Sequence, residues 1–92
     1  MRLAATDCVV VAPFRLRLTF NDGQVKEVDF TQHWKEMSGP IFRPLRDPAF
    51  FAQVALLPES ETIKWPNGAD LAAEFLYAIG VPVRTHRPRV PA

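Results

Sequence analysis

Asp70 and Glu74 stand four residues apart, a spacing that brings two carboxylates to one face of a helix. Such a pair can divide the work of general acid and general base, but no third group to assist it lies within sequence reach. The two histidines, His33 and His86, are far apart, and neither has a second ligand at metal spacing, so no metal and no cofactor is expected. Cys8 precedes three valines and reads as a buried, inert thiol; a nucleophile would need a base and cationic surroundings. The chain has no phosphate-cradling glycine loop and no dinucleotide fingerprint. An enzyme using Asp70 and Glu74 therefore stands only as an alternative to a binding protein.

Arg15 and Arg17 alternate with apolar residues in FRLRLTF and have the reach to contact phosphates. Glu27 and Asp29 on the following strand make neutralised surface pairs the better reading. After Ile79 come Arg84, His86, Arg87 and Arg89 with no acid. Removing those three arginines from the 11 basic residues leaves 8 against 10 acids, so the body carries −2. It has no broad cationic excess for a polyanion. The tail arginines are candidate nucleic-acid contacts, but a flexible arm without a recognition element reads no bases. Arg46, Trp65, Asn67 and Asp70 are the candidate partner-binding residues, because an arginine near a tryptophan and a corner asparagine can line a groove for a peptide or a protein. The opposing reading makes Trp65 core and Arg46 a charge flanking a helix.

These residues must be positioned by one domain, since 92 residues do not suffice for two. The 48% hydrophobic content fits a packed globule. A single cysteine rules out an internal disulfide and fits a reducing cytoplasm. The N-terminal MRLAATDC lacks an apolar core, so no signal peptide is expected, and no apolar run reaches the ~20 residues of a membrane helix.

The first half reads as strands. In FRLRLTF, Phe14, Leu16, Leu18 and Phe20 face one way and Arg15, Arg17 and Thr19 the other. Asn21-Asp22-Gly23 suits a three-residue hairpin loop, with Gly23 in the left-handed position. That loop predicts a register in which Phe14 faces Phe30, Leu16 faces Val28, Arg17 meets Glu27 and Arg15 meets Asp29. DCVVVA reads as the preceding strand, turning at Ala12-Pro13. Thr31 is read as the cap of a short helical turn through Met37. Ile41, Phe42 and Leu45 are expected to plug the core from an irregular segment. Asp47-Pro48 starts a short helix to about Gln53. VALL and TIKW are two short strands.

The stretch WPNGAD reads as a corner between a strand and a helix. Asn67 is placed as the helix cap, Asp70 in the capping-box position and Gly68 in a tight backbone path. The helix itself is expected over Ala69 to Ile79, with Leu71, Phe75 and Ile79 as its apolar stripe, Ala72 and Leu76 on the flanks, and Asp70, Glu74 and Tyr77 opposite. Gly80 ends it.

LTFNDGQVKEVDF, FRPLRDPAFFAQV and TIKWPNGADLAAEFLY together resemble the bacterial DUF2442 family over roughly residues 6 to 79. The resemblance implies a small α+β domain of uncharacterised function. It also implies members that stand alone or are joined to a helix-turn-helix DNA-binding domain, and an antitoxin-type role beside small toxin-like partners. Two departures stand out: no room for a helix-turn-helix after Tyr77, and Glu61 where many relatives have glycine. The resulting expectation is a single α+β domain over residues 1–81 and a basic, flexible tail over 82–92. The domain is an antiparallel meander with short middle helices, a second hairpin and a C-terminal helix packed on the sheet. The expected function is a non-enzymatic, cytoplasmic protein-binding module, antitoxin-like, with a toxin-like protein partner and no membrane. The alternatives to this module are a small enzyme using Asp70 and Glu74 and a nucleic-acid accessory acting through Arg84, Arg87 and Arg89.

Overall fold

The computed structural model describes residues 2–57, 59 and 61–83, so the tail arginines lie outside the described residues. Its first sheet begins with β1 (Ala5–Ala12), β2 (Arg15–Phe20) and β3 (Val25–Asp29), and is completed by β7 (Val81–Pro82) in the order β1-β2-β3-β7. The β2–β3 register is the one the loop dictates: Arg15 opposite Asp29, Leu16 opposite Val28 and Arg17 opposite Glu27. Phe20 N donates to Gln24 O at 2.9 Å and Gly23 N to Phe20 O at 2.9 Å, closing the loop with Gly23 at φ 91. Strict alternation then buries Leu16, Leu18 and Phe20 and leaves the arginines outside.

The second sheet is β4 (Ala55–Leu57), β5 (Thr62–Lys64) and β6 (Asp70–Leu71), in that order. Ala5 N donates to Glu61 O at 3.1 Å, so the start of β1 is stitched to the second sheet. Glu61 sits at φ 60, the left-handed region where glycine is at ease. Between the sheets lie three 3-10 segments and α1 (Pro48–Phe51), capped by Asp47, whose carboxylate accepts from Ala49 N at 3.1 Å. Leu16, Leu18, Phe30, Leu45, Phe51, Ile63, Trp65 and Leu76 form the centre of the core.

Four local expectations need correction. The first 3-10 turn, Phe30–Gln32, is capped by Asp29 and not by Thr31; Asp29 Oδ1 accepts from Thr31 N at 3.1 Å and from Thr31 Oγ1 at 2.6 Å. The segment Pro40–Arg46 is a 3-10 helix, not irregular; it buries Leu45 and half-buries Phe42, while Ile41 stays 43% exposed. The WPNGA stretch does not start a helix. It is a second hairpin loop: Trp65 N donates to Ala69 O at 2.8 Å and Gly68 N to Trp65 O at 2.9 Å, with Gly68 at φ 93. This repeats, bond for bond, the loop between β2 and β3. Asp70 and Leu71 are thereby drawn into β6, opposite Lys64 and Ile63. The C-terminal helix, α2, is accordingly shorter, Ala73–Ile79, with Ala72 at its cap position. Its buried side is Ala73 and Leu76, with Phe75, Tyr77 and Ile79 half-covered. Gly80 ends it, and a Cβ there would meet Lys26 Cβ at 2.8 Å, which lets the chain pass close over β3. β7 then pairs with β3, and Val83 N donates to Val25 O at 2.8 Å, so the sheet continues past the expected domain limit at residue 81.

Candidate functional site

The outer face of the first sheet carries a row of charges set by the register. Arg17 grips Glu27 Oε2 through Nη2 at 2.7 Å and Nε at 3.0 Å. Arg15 lies between both acids, 3.4 Å from Asp29 Oδ2 and 3.8 Å from Glu27 Oε1. The bonds from Thr31 to Asp29, with Arg15 adding its charge, hold the Asp29 carboxyl below its ordinary pKa. Just beyond, His33 Nδ1 is 3.3 Å from Glu36 Oε1.

A cleft of about 400 Å³ opens between this row and the end of the chain as described. One wall is polar, with Arg15, Glu27, Asp29 and His33; the other is apolar, with Ile79, Val81 and Val83. β7 makes the apolar wall by lying antiparallel on β3, with Val81 opposite Glu27. The two carboxylates that line the cleft both accept hydrogen bonds, Glu27 from Arg17 and Asp29 from Thr31.

The residues chosen from the sequence do not converge on one place. Trp65 is 2% exposed and belongs to the core; its ring lies 5.9 Å from Phe30 and 5.8 Å from Phe51, and its Nε1 donates to Phe51 O at 2.9 Å. It is no groove wall. Asn67 Oδ1 accepts from Ala69 N at 3.1 Å inside the hairpin loop, and Nδ2 donates to Ile41 O at 2.9 Å, which pins the loop to the 3-10 helix. Arg46 is exposed with its guanidinium 5.2 Å over Trp34, so the tryptophan beside it is Trp34. Asp70 is exposed in β6 and Glu74 lies in the first turn of α2, so the shared helix face expected for them does not exist. Arg84, Arg87 and Arg89 lie outside the described residues. Cys8 has its thiol pushed up to about 11 by burial, with Asp7 adding to the effect.

Sequence reasoning missed the cleft because its apolar wall runs from Ile79 through Val81 to Val83, across the limit at residue 81 where the domain was expected to give way to a tail. The signal was present in the alternation of Ile79, Val81 and Val83, read past the helix stop.

The fold and this surface define a small two-sheet α+β domain with a cleft on its outer face. The chain belongs to the DUF2442 family, described as a protein of unknown function, which it matches over residues 6–82. No curated protein matches the sequence. The crystal structure of a putative DNA binding protein from Nitrosomonas europaea is similar, with 28% identity and a TM-score of 0.68 over 85% of this chain and 48% of that one. The present chain thus spans about half the length of that structure.

Proposed function

We propose that the chain is a non-enzymatic protein-binding module working in the cytoplasm, with the antitoxin-like half of a pair as its specific form. The observation behind this reading is the cleft over β3 and β7, with one apolar wall and one wall of charges that satisfy one another. An extended segment of a partner can lay apolar side chains against Ile79, Val81 and Val83 and direct polar groups to Arg15 and His33. The test is a titration of the full chain, followed by calorimetry, with the product of whichever gene adjoins its own. Saturable binding that Val81→Asp abolishes supports the reading. Turnover of a small molecule lost in Asp70→Asn or Glu74→Gln would replace it with the enzyme alternative.

A nucleic-acid role is the second reading, favoured by the similarity to a protein named for DNA binding. Three tail arginines give a salt slope of only about −3 in log affinity against log salt. Titration of labelled duplex with the full chain and with a chain ending at Val83 separates the two. Tight, sequence-dependent binding that survives truncation would overturn the protein-binding proposal.

A further inference from the structure

The first sheet has two edges, and they are unlike. β7 is two residues long, and one of them, Pro82, has no N–H to offer a further strand. β1 is eight residues long and, among the described residues, pairs along its length only with β2. After Ala5, whose amide goes to Glu61, its outer edge has no backbone partner among the described residues. Val9, Val10 and Val11 are 46%, 37% and 36% exposed on this edge, a run of β-branched residues without the lysine or proline that commonly guards an edge strand.

We propose that two copies of this chain associate through β1, antiparallel about a two-fold axis, joining two four-stranded sheets into one. Cys8 and Val10 sit opposite Leu18 and Leu16 and share the inner face, while Val9 sits opposite Arg17 on the outer face. A two-fold axis normal to the sheet keeps inner residues opposite inner residues, so the axis must pass through a residue and not between two. The register shift between Val10 and Ala12 and the one between Ala5 and Asp7 leave Asp7 to Val10 as the regular stretch. An axis at Val9 sets Val9 against Val9 of the second copy, and Cys8 against Val10. It leaves the two Asp7 carboxylates four residues apart along the strands, roughly 14 Å at ~3.4 Å per residue. That exceeds the ~8 Å screening length at physiological salt. An axis at Cys8 would halve the separation and bring like charges within that length. Because β7 is blocked, the pairing closes on itself and yields a dimer, not a filament. The cleft over β3 and β7 lies across the sheet from this edge and stays open.

Sedimentation equilibrium on the full chain tests the proposal. The expected mass rises with concentration from 10.4 kDa to twice that value, and Val9→Lys removes the rise while leaving circular dichroism unchanged. A Cys8→Ser, Val9→Cys chain is expected to form a covalent dimer on mild oxidation, which decides the matter should Val9→Lys not fold. A wild-type chain that stays monomeric at its highest workable concentration overturns the proposal and leaves the edge to a strand of another protein. A dimer indifferent to Val9→Lys, or no cross-link at residue 9, overturns it as well. Neither variant touches the cleft, so partner binding there stands or falls separately.

Discussion

Tyr77 Oη donates to Asp22 Oδ2 at 2.6 Å, tying α2 to the loop between β2 and β3 across 55 positions of chain. The tyrosine ring lies edge-on to Phe20 at 5.0 Å and under Lys26 Nζ at 3.6 Å, so the side chain placed on the solvent face by helical periodicity is half-buried. The bond lowers the Asp22 pKa below its ordinary value, and it raises that of Tyr77.

That pair predicts a stability window in pH. A lowered carboxylate contributes stability that is complete above its unfolded value of 3.8 and fades as pH falls through the folded pKa. A raised phenol contributes stability that is complete below 10.0 and fades as pH rises through the folded pKa. Thermal melts of wild type and Tyr77→Phe should therefore differ by a constant amount across the neutral range and converge at both extremes. A difference that does not change with pH would mean the bond is absent in solution.

Trp65→Ala should cost about 3–5 kcal/mol, the usual result of emptying an aromatic core site. Trp65→Phe keeps most of the ring volume and leaves Phe51 O with only the bond from Val54 N at 3.2 Å, so a smaller loss of about 1 kcal/mol is expected. Urea unfolding measures both. A Trp65→Ala chain as stable as wild type would remove this residue from the core.

Asn67→Ala loses the loop bond to Ala69 N and the bond to Ile41 O, for about 1–2 kcal/mol. Asn67→Asp keeps the first and loses the second, so its unfolding midpoint should fall between the two. Equal losses for both substitutions would show that the loop bond contributes nothing.

Glu61→Gly should stabilise the chain. The left-handed backbone costs a non-glycine residue about 1–2 kcal/mol, and glycine gives back roughly 0.5–1 kcal/mol through the entropy of the unfolded chain. The ion pair with Arg2 is exposed on both sides and weighs little against this. A lower denaturation midpoint for Glu61→Gly would contradict the strain argument.

Much of the fold was legible because local rules and burial agreed. Alternation in FRLRLTF and the left-handed Gly23 together fixed one register, and both faces of the pair came out sensibly. The same loop chemistry stood in WPNGA, where it was overridden by the capping pattern of Asn67 and Asp70. Asx residues serve both purposes, and only the pairing of Lys64 with Asp70 decides between them. Trp65 could not be assigned from sequence, since a large indole at a turn fits a core or a groove equally until its neighbours Phe30 and Phe51 are known. The alternation of Ile79, Val81 and Val83 was visible in the sequence, but the cleft it helps to form was not, because β7 makes sense only beside β3, more than fifty residues away in the chain.

The long connections to the C-terminal segment share one target. Val83 reaches Val25, Lys26 reaches the Tyr77 carbonyl, and Tyr77 reaches Asp22, so all three land on β3 and its preceding loop. The two hairpins close over three-residue loops and are fast, local events, whereas this attachment must first close a circuit of half the molecule. The C-terminal clasp is thus the step with the largest loop entropy to overcome and the natural place for opening to begin. Hydrogen exchange would see Val83 and Gly80 released together, ahead of the meander that they fasten.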